Sequence, residues 1–164
     1  MNENEILSKI MNIDEAVEWR NELKRKKIRL VMTNGCFDIL HRGHASYLMK
    51  SRELGNALLL AVNSDNSVKQ LKGPARPITN EFDRAYLLSC FPFIDAIIVF
   101  DTVKCVEIIN QIKPDIYAKG ADYNLNTMDQ EEREMLEKVG SEIKFIEFVD
   151  GYSSSKIIKK IVSK

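Results

Sequence analysis

The chain has 164 residues, 45% of them hydrophobic and 29% charged, a length at which one compact core can be buried. Its 24 lysines and arginines equal its 24 aspartates and glutamates, which excludes a global field drawing it onto nucleic acid or an anionic membrane. The polar, acidic start and the lack of any run of ~18 apolar residues argue against a leader or a membrane span, so a cytoplasmic location is the default expectation.

Residues 14–26 (DEAVEWRNELKRK) set Ala16, Val17, Trp19 and Leu23 at helical spacing, with Asn12 or Asp14 as a cap. The segment of about 12–26 is expected to pack as an N-terminal helical extension. IRLVMT (28–33), ALLLAV (57–62), AIIVF (96–100), DIYA (115–118) and EIKFIEF (142–148) read as strands. Helices are expected near 43–54, 81–91, 103–112, 128–138 and 154–162. The first three strands are almost continuously apolar, as strands covered by helices on both faces must be. This predicts a doubly wound, mainly parallel five-stranded α/β sheet in a single domain over residues 1–164. Gly55 and Gly140 stand where left-handed helix caps are wanted, and Pro114 is a stop signal. The stretches 63–80 and 119–127 read as irregular and are candidates for functional loops. Cys36, Cys90 and Cys105 lie far apart without a C-x-x-C pair and read as reduced thiols.

In such a sheet, ligands bind beyond the carboxyl ends of the strands. The first strand runs directly into Thr33-Asn34-Gly35-Cys36-Phe37-Asp38 and then Ile39-Leu40-His41-Arg42-Gly43-His44. Gly35 allows close backbone approach to a ligand, and the helix starting near Gly43 offers N–H groups and a positive dipole end to phosphate. His41 and His44, the only histidines, are three apart at that helix start, so both imidazoles can face one anion. The pair could instead be two ordinary polar surface residues; a metal would need a third ligand, and although Asp38 is close in sequence nothing else in the segment completes a zinc-like set, so no protein-held metal is assigned. The stretch is neither a G-x-x-x-x-G-K-[ST] loop nor a G-x-G-x-x-G fingerprint, which removes the main support for kinase and dehydrogenase readings.

This T-N-G-C-F-D-I-L-H-R-G-H run resembles the G-x-F-D-x-x-H-x-G-H signature of the cytidylyltransferase-like nucleotidyltransferase superfamily. Over roughly residues 9–162 the chain looks like the heptose 1-phosphate adenylyltransferase branch. The segments that carry this likeness are A-V-N-S-D (61–65), L-K-G-P-A-R-P-I (71–78), Arg84, K-G-A-D-Y (119–123) and D-G-Y-S-S-S-K-I-I-K-K-I (150–161). The resemblance implies transfer of AMP from ATP, with Mg²⁺, to D-glycero-β-D-manno-heptose 1-phosphate, giving ADP-heptose and pyrophosphate. It also implies a homodimer and, since some relatives carry a fused kinase domain, a separate upstream kinase.

The catalytic assignment falls on His41 and His44, with Lys72 and Lys69 as helpers in a loop after the second strand; a solvated lysine is the plain alternative for each. Thr33, Asn34, Gly35, Cys36, Phe37 and Gly43 are assigned to the nucleotide, the stretch from Gly35 to Phe37 as a backbone phosphate cradle. By resemblance Lys119, Gly120, Asp122 and Tyr123 lie near the nucleotide, and Ser153 and Ser154 contact its triphosphate. N-capping is the plain reading for these serines, and core packing for Tyr123. Asp38, Arg76 and Arg84 are assigned to the acceptor, although an aspartate in a turn also bonds its own backbone. The His signature does not choose a base, so a cytidylyltransferase acting on glycerol 3-phosphate or another polyol phosphate stays open. So does a non-catalytic nucleotide-binding module.

Overall fold

The structure is a computed structural model that describes residues 2–121, 124–147 and 151–163. Two helices, α1 (Glu3–Leu7) and α2 (Ile13–Arg25), precede β1 (Leu30–Gly35) and α3 (Arg42–Glu53). Then follow β2 (Ala57–Asn63), α4 (Asp65–Lys72), α5 (Glu81–Ser89), β3 (Ala96–Phe100) and α6 (Val106–Ile112). The remainder is β4 (Ile116–Gly120), α7 (Gln130–Val139), β5 (Glu142–Ile146) and α8 (Ser154–Val162). All four strand pairings are parallel, in the order β3-β2-β1-β4-β5.

Alternation along each strand divides the core between two faces. Leu30, Met32, Leu59, Ala61 and Ile98 face a layer supplied by α2, α6 and α7, through Ala16, Leu23, Ile109, Ile112 and Leu136. Val31, Leu58, Leu60, Val62 and Ile97 face Tyr47 and Leu48 of α3 and Ala85 and Leu88 of α5. Because both faces are covered, the central strands carry no polar face, as their sequences predict.

The N-terminal helix is more than an extension. Asn12 caps α2 in a reciprocal box with Glu15, and Ala16 and Leu23 belong to the core. Arg20, 3% exposed, donates to both Asp115 oxygens and to the carbonyls of Ile112 and Lys113. That clasp ties α2 to the α6–β4 corner. Residues 9–11 also pair with β3: the Ile97 N–H donates to the Lys9 carbonyl and the Met11 N–H to the Ile97 carbonyl, closing this sheet edge.

Two local expectations are corrected. The stretch after β2 is not wholly loop: Ser64 caps α4, so Lys69 and Lys72 sit on its last turn. Gly55 is not a left-handed cap, since the only glycines with positive φ are Gly73, Gly140 and Gly151 among the described residues. A Cβ on Gly55 would lie 2.8 Å from the Arg29 carbonyl oxygen and 2.7 Å from Val31 Cγ2, so it is required by close chain approach. Gly140 does adopt the left-handed cap, at φ 77°. Phe148, at the expected end of β5, lies outside the described residues.

Candidate active site

Strand order reverses direction at β1, and the β1–β4 ladder is short, pairing Val31 with Ile116 and Met32 with Tyr117. The crevice of a doubly wound sheet opens beyond such a switch point. A cleft of about 720 Å³ lies there. Its lining includes Asn34 through Asp38, His41, Gly43, His44, Lys72, Arg76, Lys119, Gly120, Ser153 and Ser154. Most of the residues singled out from sequence therefore converge on one place.

The histidine pair forms the floor beside the start of α3. His41 is the N-cap, and its Nδ1 accepts from the His44 N–H at 3.3 Å. The two rings stack with centroids 3.8 Å apart and planes 13° from parallel. The Phe37 ring meets His44 edge-on at 5.4 Å. Gly43 makes this possible: a Cβ there would come within 3.0 Å of the His41 ring and of Tyr152 Cβ. Burial, aided by the neighbouring His41, pushes His44 down to about 4, and burial also lowers His41. Both rings are thus mostly neutral at pH 7, and the buried His44 Nδ1 has no hydrogen-bond partner among the described residues.

Around this floor the polar side chains are anchored to one another. Lys119 Nζ and the Tyr117 hydroxyl both donate to Asn34 Oδ1, at 2.8 and 2.9 Å, across the gap between β1 and β4. Lys119 also pairs with Glu132 at 3.1 Å, whose other oxygen accepts from the Cys105 N–H. Asp38 is buried, pairs with Arg76 and accepts from the Ile78 and Thr79 N–H groups. These partners lie 38 to 41 residues away, so Asp38 ties the 76–79 loop to the signature loop and does not cap its own turn. Lys72, at the exposed end of α4, makes no ion pair among the described residues. At the start of α8 the Ser153 side chain makes no capping bond, while Ser154 Oγ donates to the Ile39 carbonyl at 3.1 Å. The Ser154 contact fastens α8 to the signature loop.

Three assigned residues do not line the cleft. Lys69 is exposed on α4 and is not among the lining residues. Thr33 is fully buried, and its hydroxyl shares a 2.7 Å hydrogen bond with Tyr47, which also donates to the Ala118 carbonyl. Arg84 is buried beneath the cradle, bonded to the Cys36 and Thr79 carbonyls and to Asp65, so it cannot touch an acceptor from there. Asp122 and Tyr123 lie outside the described residues. Burial pushes the Cys36 thiol up, which keeps it protonated and unsuited to nucleophilic attack.

Sequence reasoning missed Asn63, Lys104, Asp129 and Glu132 as lining residues. Glu132 sits in the strongly polar run DQEERE, which reads as a solvated helix face and carries no signal of burial. Among the described residues each lining carboxylate has a cation: Asp38 with Arg76, Asp129 with Lys104 at 3.0 Å, and Glu132 with Lys119. No cluster of three or more His, Cys, Asp or Glu able to hold a metal occurs among the described residues. No helix among them is long and apolar enough to cross a membrane.

Comparison with known proteins agrees with this geometry. A family profile described as cytidylyltransferase-like matches residues 32–160. The bifunctional protein HldE of Helicobacter pylori strain J99 is 46% identical over 162 residues, which cover 96% of this chain and 32% of that protein. The protein of the same name from Campylobacter jejuni subsp. doylei is 45% identical over 142 residues, or 87% and 30% of the two chains. The chain thus spans about a third of the length of these curated relatives. Among solved structures, a lipopolysaccharide core biosynthesis protein from Thermoplasma volcanium superposes with TM-score 0.61 at 31% identity, over 77% of this chain and 99% of that one. Pantoate-beta-alanine ligase from Francisella tularensis, at TM-score 0.57 and 12% identity over 94% of this chain and 78% of that one, shares the fold alone. With the profile running from inside β1 into α8 and the histidine pair set at the sheet's switch point, the chain belongs to the cytidylyltransferase-like family of nucleotidyltransferases.

Proposed function

We propose that the protein transfers AMP from ATP to a sugar phosphate, D-glycero-β-D-manno-heptose 1-phosphate, releasing pyrophosphate and forming ADP-heptose. The observation that carries the reading is the stacked His41–His44 pair in the cleft lined by Gly35 to Phe37 and by the start of α8. The choice of ATP and a heptose follows the resemblance over 61–78, 119–123 and 150–161, and the relatives named HldE support it.

The acceptor phosphate is already an anionic nucleophile, so the site needs no strong general base. Its oxygen attacks the α-phosphorus in line as the bond to pyrophosphate breaks, with no covalent enzyme intermediate. Catalysis then consists of holding the two anions in line and relieving charge on the α- and β-phosphates. His41, His44 and backbone N–H groups of the signature loop face the α-phosphate. Lys72 supplies a cation to the triphosphate from the end of α4, and Ser153 receives it at the start of α8. Arg76, held by Asp38, faces the acceptor phosphate. Because each lining carboxylate already pairs with a cation, these residues do not fit a protein-held Mg²⁺, and MgATP is the substrate form in this reading.

Pyrophosphate release measured with ATP, CTP, GTP and UTP across a panel of sugar and polyol phosphates tests the reading. The heptose 1-phosphate with ATP is expected to give the highest kcat/KM. All four triphosphates present the same phosphates to the histidines, so discrimination must come from the base pocket, whose polar groups would be left unpaired by a wrong base. Preference for CTP with glycerol 3-phosphate would replace this reading by the cytidylyltransferase one, and no turnover with any pair would leave a binding module.

A further inference from the structure

Arg84 is the most deeply buried cation among the described residues, 1% exposed, and the proposed reaction leaves it without a task. Its guanidinium reaches three separate pieces of chain. One nitrogen donates to the Cys36 carbonyl in the signature loop, Nε donates to the Thr79 carbonyl at 3.0 Å, and Nη2 pairs with Asp65 at 2.9 Å. Thr79 ends the loop that carries Arg76, and Asp65 opens the helix that carries Lys72.

The bond to Cys36 has a geometric consequence for the neighbouring peptide. Arg76–Pro77 is the only cis peptide among the described residues, so the Cys36–Phe37 unit is trans and its N–H points opposite to its C=O. With the carbonyl held by the buried guanidinium, the Phe37 N–H points away from Arg84, on a residue that itself lines the cleft. No hydrogen bond from that N–H is found among the described residues. Phe37 adopts φ 48°, a left-handed conformation that side chains rarely take and that persists only where the surroundings fix it. The surroundings here are Arg84 on one side and the contact of the Phe37 ring with His44 on the other.

We propose that Arg84 is a positioning residue: by holding the Cys36 carbonyl beneath the loop it presents the Phe37 N–H as a preorganised donor to a phosphate oxygen of the nucleotide. Through Thr79 and Asp65 the same group sets the two walls that carry Arg76 and Lys72. A planar fork is suited to this, because one lysine ammonium cannot meet three acceptors lying in the directions a guanidinium offers. The inference rests on the reading that a triphosphate occupies the cleft.

The test follows the Phe37 backbone amide by NMR in the wild-type protein while inorganic tripolyphosphate, and then α,β-methylene ATP, is added. The Phe37 amide proton is expected to move downfield with each. Arg84→Lys, checked for folding by circular dichroism, is expected to lose most of that shift and to lower kcat ~10²-fold, the scale of one lost oxyanion donor, with KM for ATP close to wild type. Arg84→Ala leaves a guanidinium-sized hole, and added guanidinium, but not sodium, is expected to restore part of kcat. An unmoved Phe37 amide in the wild-type protein overturns the proposal whatever the variants do. So does a folded Arg84→Lys protein with wild-type kcat, or a loss of activity that only follows a lower melting temperature. Tripolyphosphate requires no acceptor, so a protein inactive on heptose phosphate whose Phe37 amide still responds would sink the heptose reading and leave this inference standing.

Discussion

Nucleotide binding should be coupled to proton uptake at His44. In the free protein its imidazole is held down to about 4 by burial and by His41, so it is neutral throughout the physiological range. A phosphate oxygen ~4 Å from the ring, at an effective dielectric of ~20, favours the imidazolium by ~4 kcal/mol, or ~3 pKa units. That would raise the group to about 7 in the complex. At about pH 6 the free ring is almost wholly neutral and the bound ring mostly charged, so binding takes up close to one proton. Above about pH 8 both are neutral and the uptake vanishes. The affinity for triphosphate should therefore rise as pH falls from about 7, by up to ~10-fold per unit, until the free ring itself begins to titrate. Calorimetry of α,β-methylene ATP binding in two buffers of different ionisation enthalpy gives the proton count directly. His44→Gln supplies the baseline, because the nucleotide's own phosphates titrate in the same range. Equal proton counts for wild-type and His44→Gln proteins would refute the reasoning, and with it the placement of phosphate charge against this ring.

Two further expectations separate the cleft from its scaffold. Lys72→Ala should lower kcat/KM for ATP by ~1.5–3 kcal/mol, while Lys69→Ala on the same helix, outside the cleft, should leave steady-state kinetics unchanged. Equal effects of the two would return Lys72 to a solvated helix end. Gly55→Ala should cost ~1–3 kcal/mol in thermal unfolding with activity retained, since its Cβ would press on the Arg29 carbonyl and on Val31. A neutral or stabilising result would mean the chain there relaxes at little cost.

The sheet was legible because its signal is redundant. β3 falls where AIIVF places it, and β1, β2 and β4 shift by at most two residues at either end. The central β1 and β2 are apolar and buried along most of their length, so no alternative periodicity competes there, and the shorter β3 and β4 carry mostly buried apolar runs. Helix α4 escaped for the converse reason. Its inward side is built from polar groups: Ser67 is fully buried, accepts from Asn63 Nδ2 at 2.9 Å and donates to the Thr102 carbonyl at 2.8 Å. Periodicity arguments count apolar residues, and here the buried stripe is Ser64, Ser67 and Val68, which reads as a loop. The cap signal was present in Ser64, whose hydroxyl accepts from the Ser67 N–H.

The lining of the cleft was legible where sequence spacing alone places a residue at the end of β1 or the start of α3. His41, His44 and Gly43 sit where their spacing puts them, and Lys72 reaches the cleft despite the misread helix. Arg84 was misplaced because charge in a sequence carries no record of who answers it; its partners are two backbone carbonyls and a helix-opening Asp65, none of which has a motif. The same holds for Glu132, which was not singled out and is paired with Lys119. With both histidines neutral and the lining carboxylates paired, the resting cleft offers little long-range attraction beyond Lys72. Under the proposed function, much of the positive charge facing a triphosphate would be created on its arrival, by protonation of a ring already packed in place. A half-buried neutral imidazole is cheap to hold in the folded state, whereas a permanent cation there would need a counter-charge that would compete with the proposed substrate. That difference gives a physical reason for histidine at this floor, with lysine kept to the exposed rim.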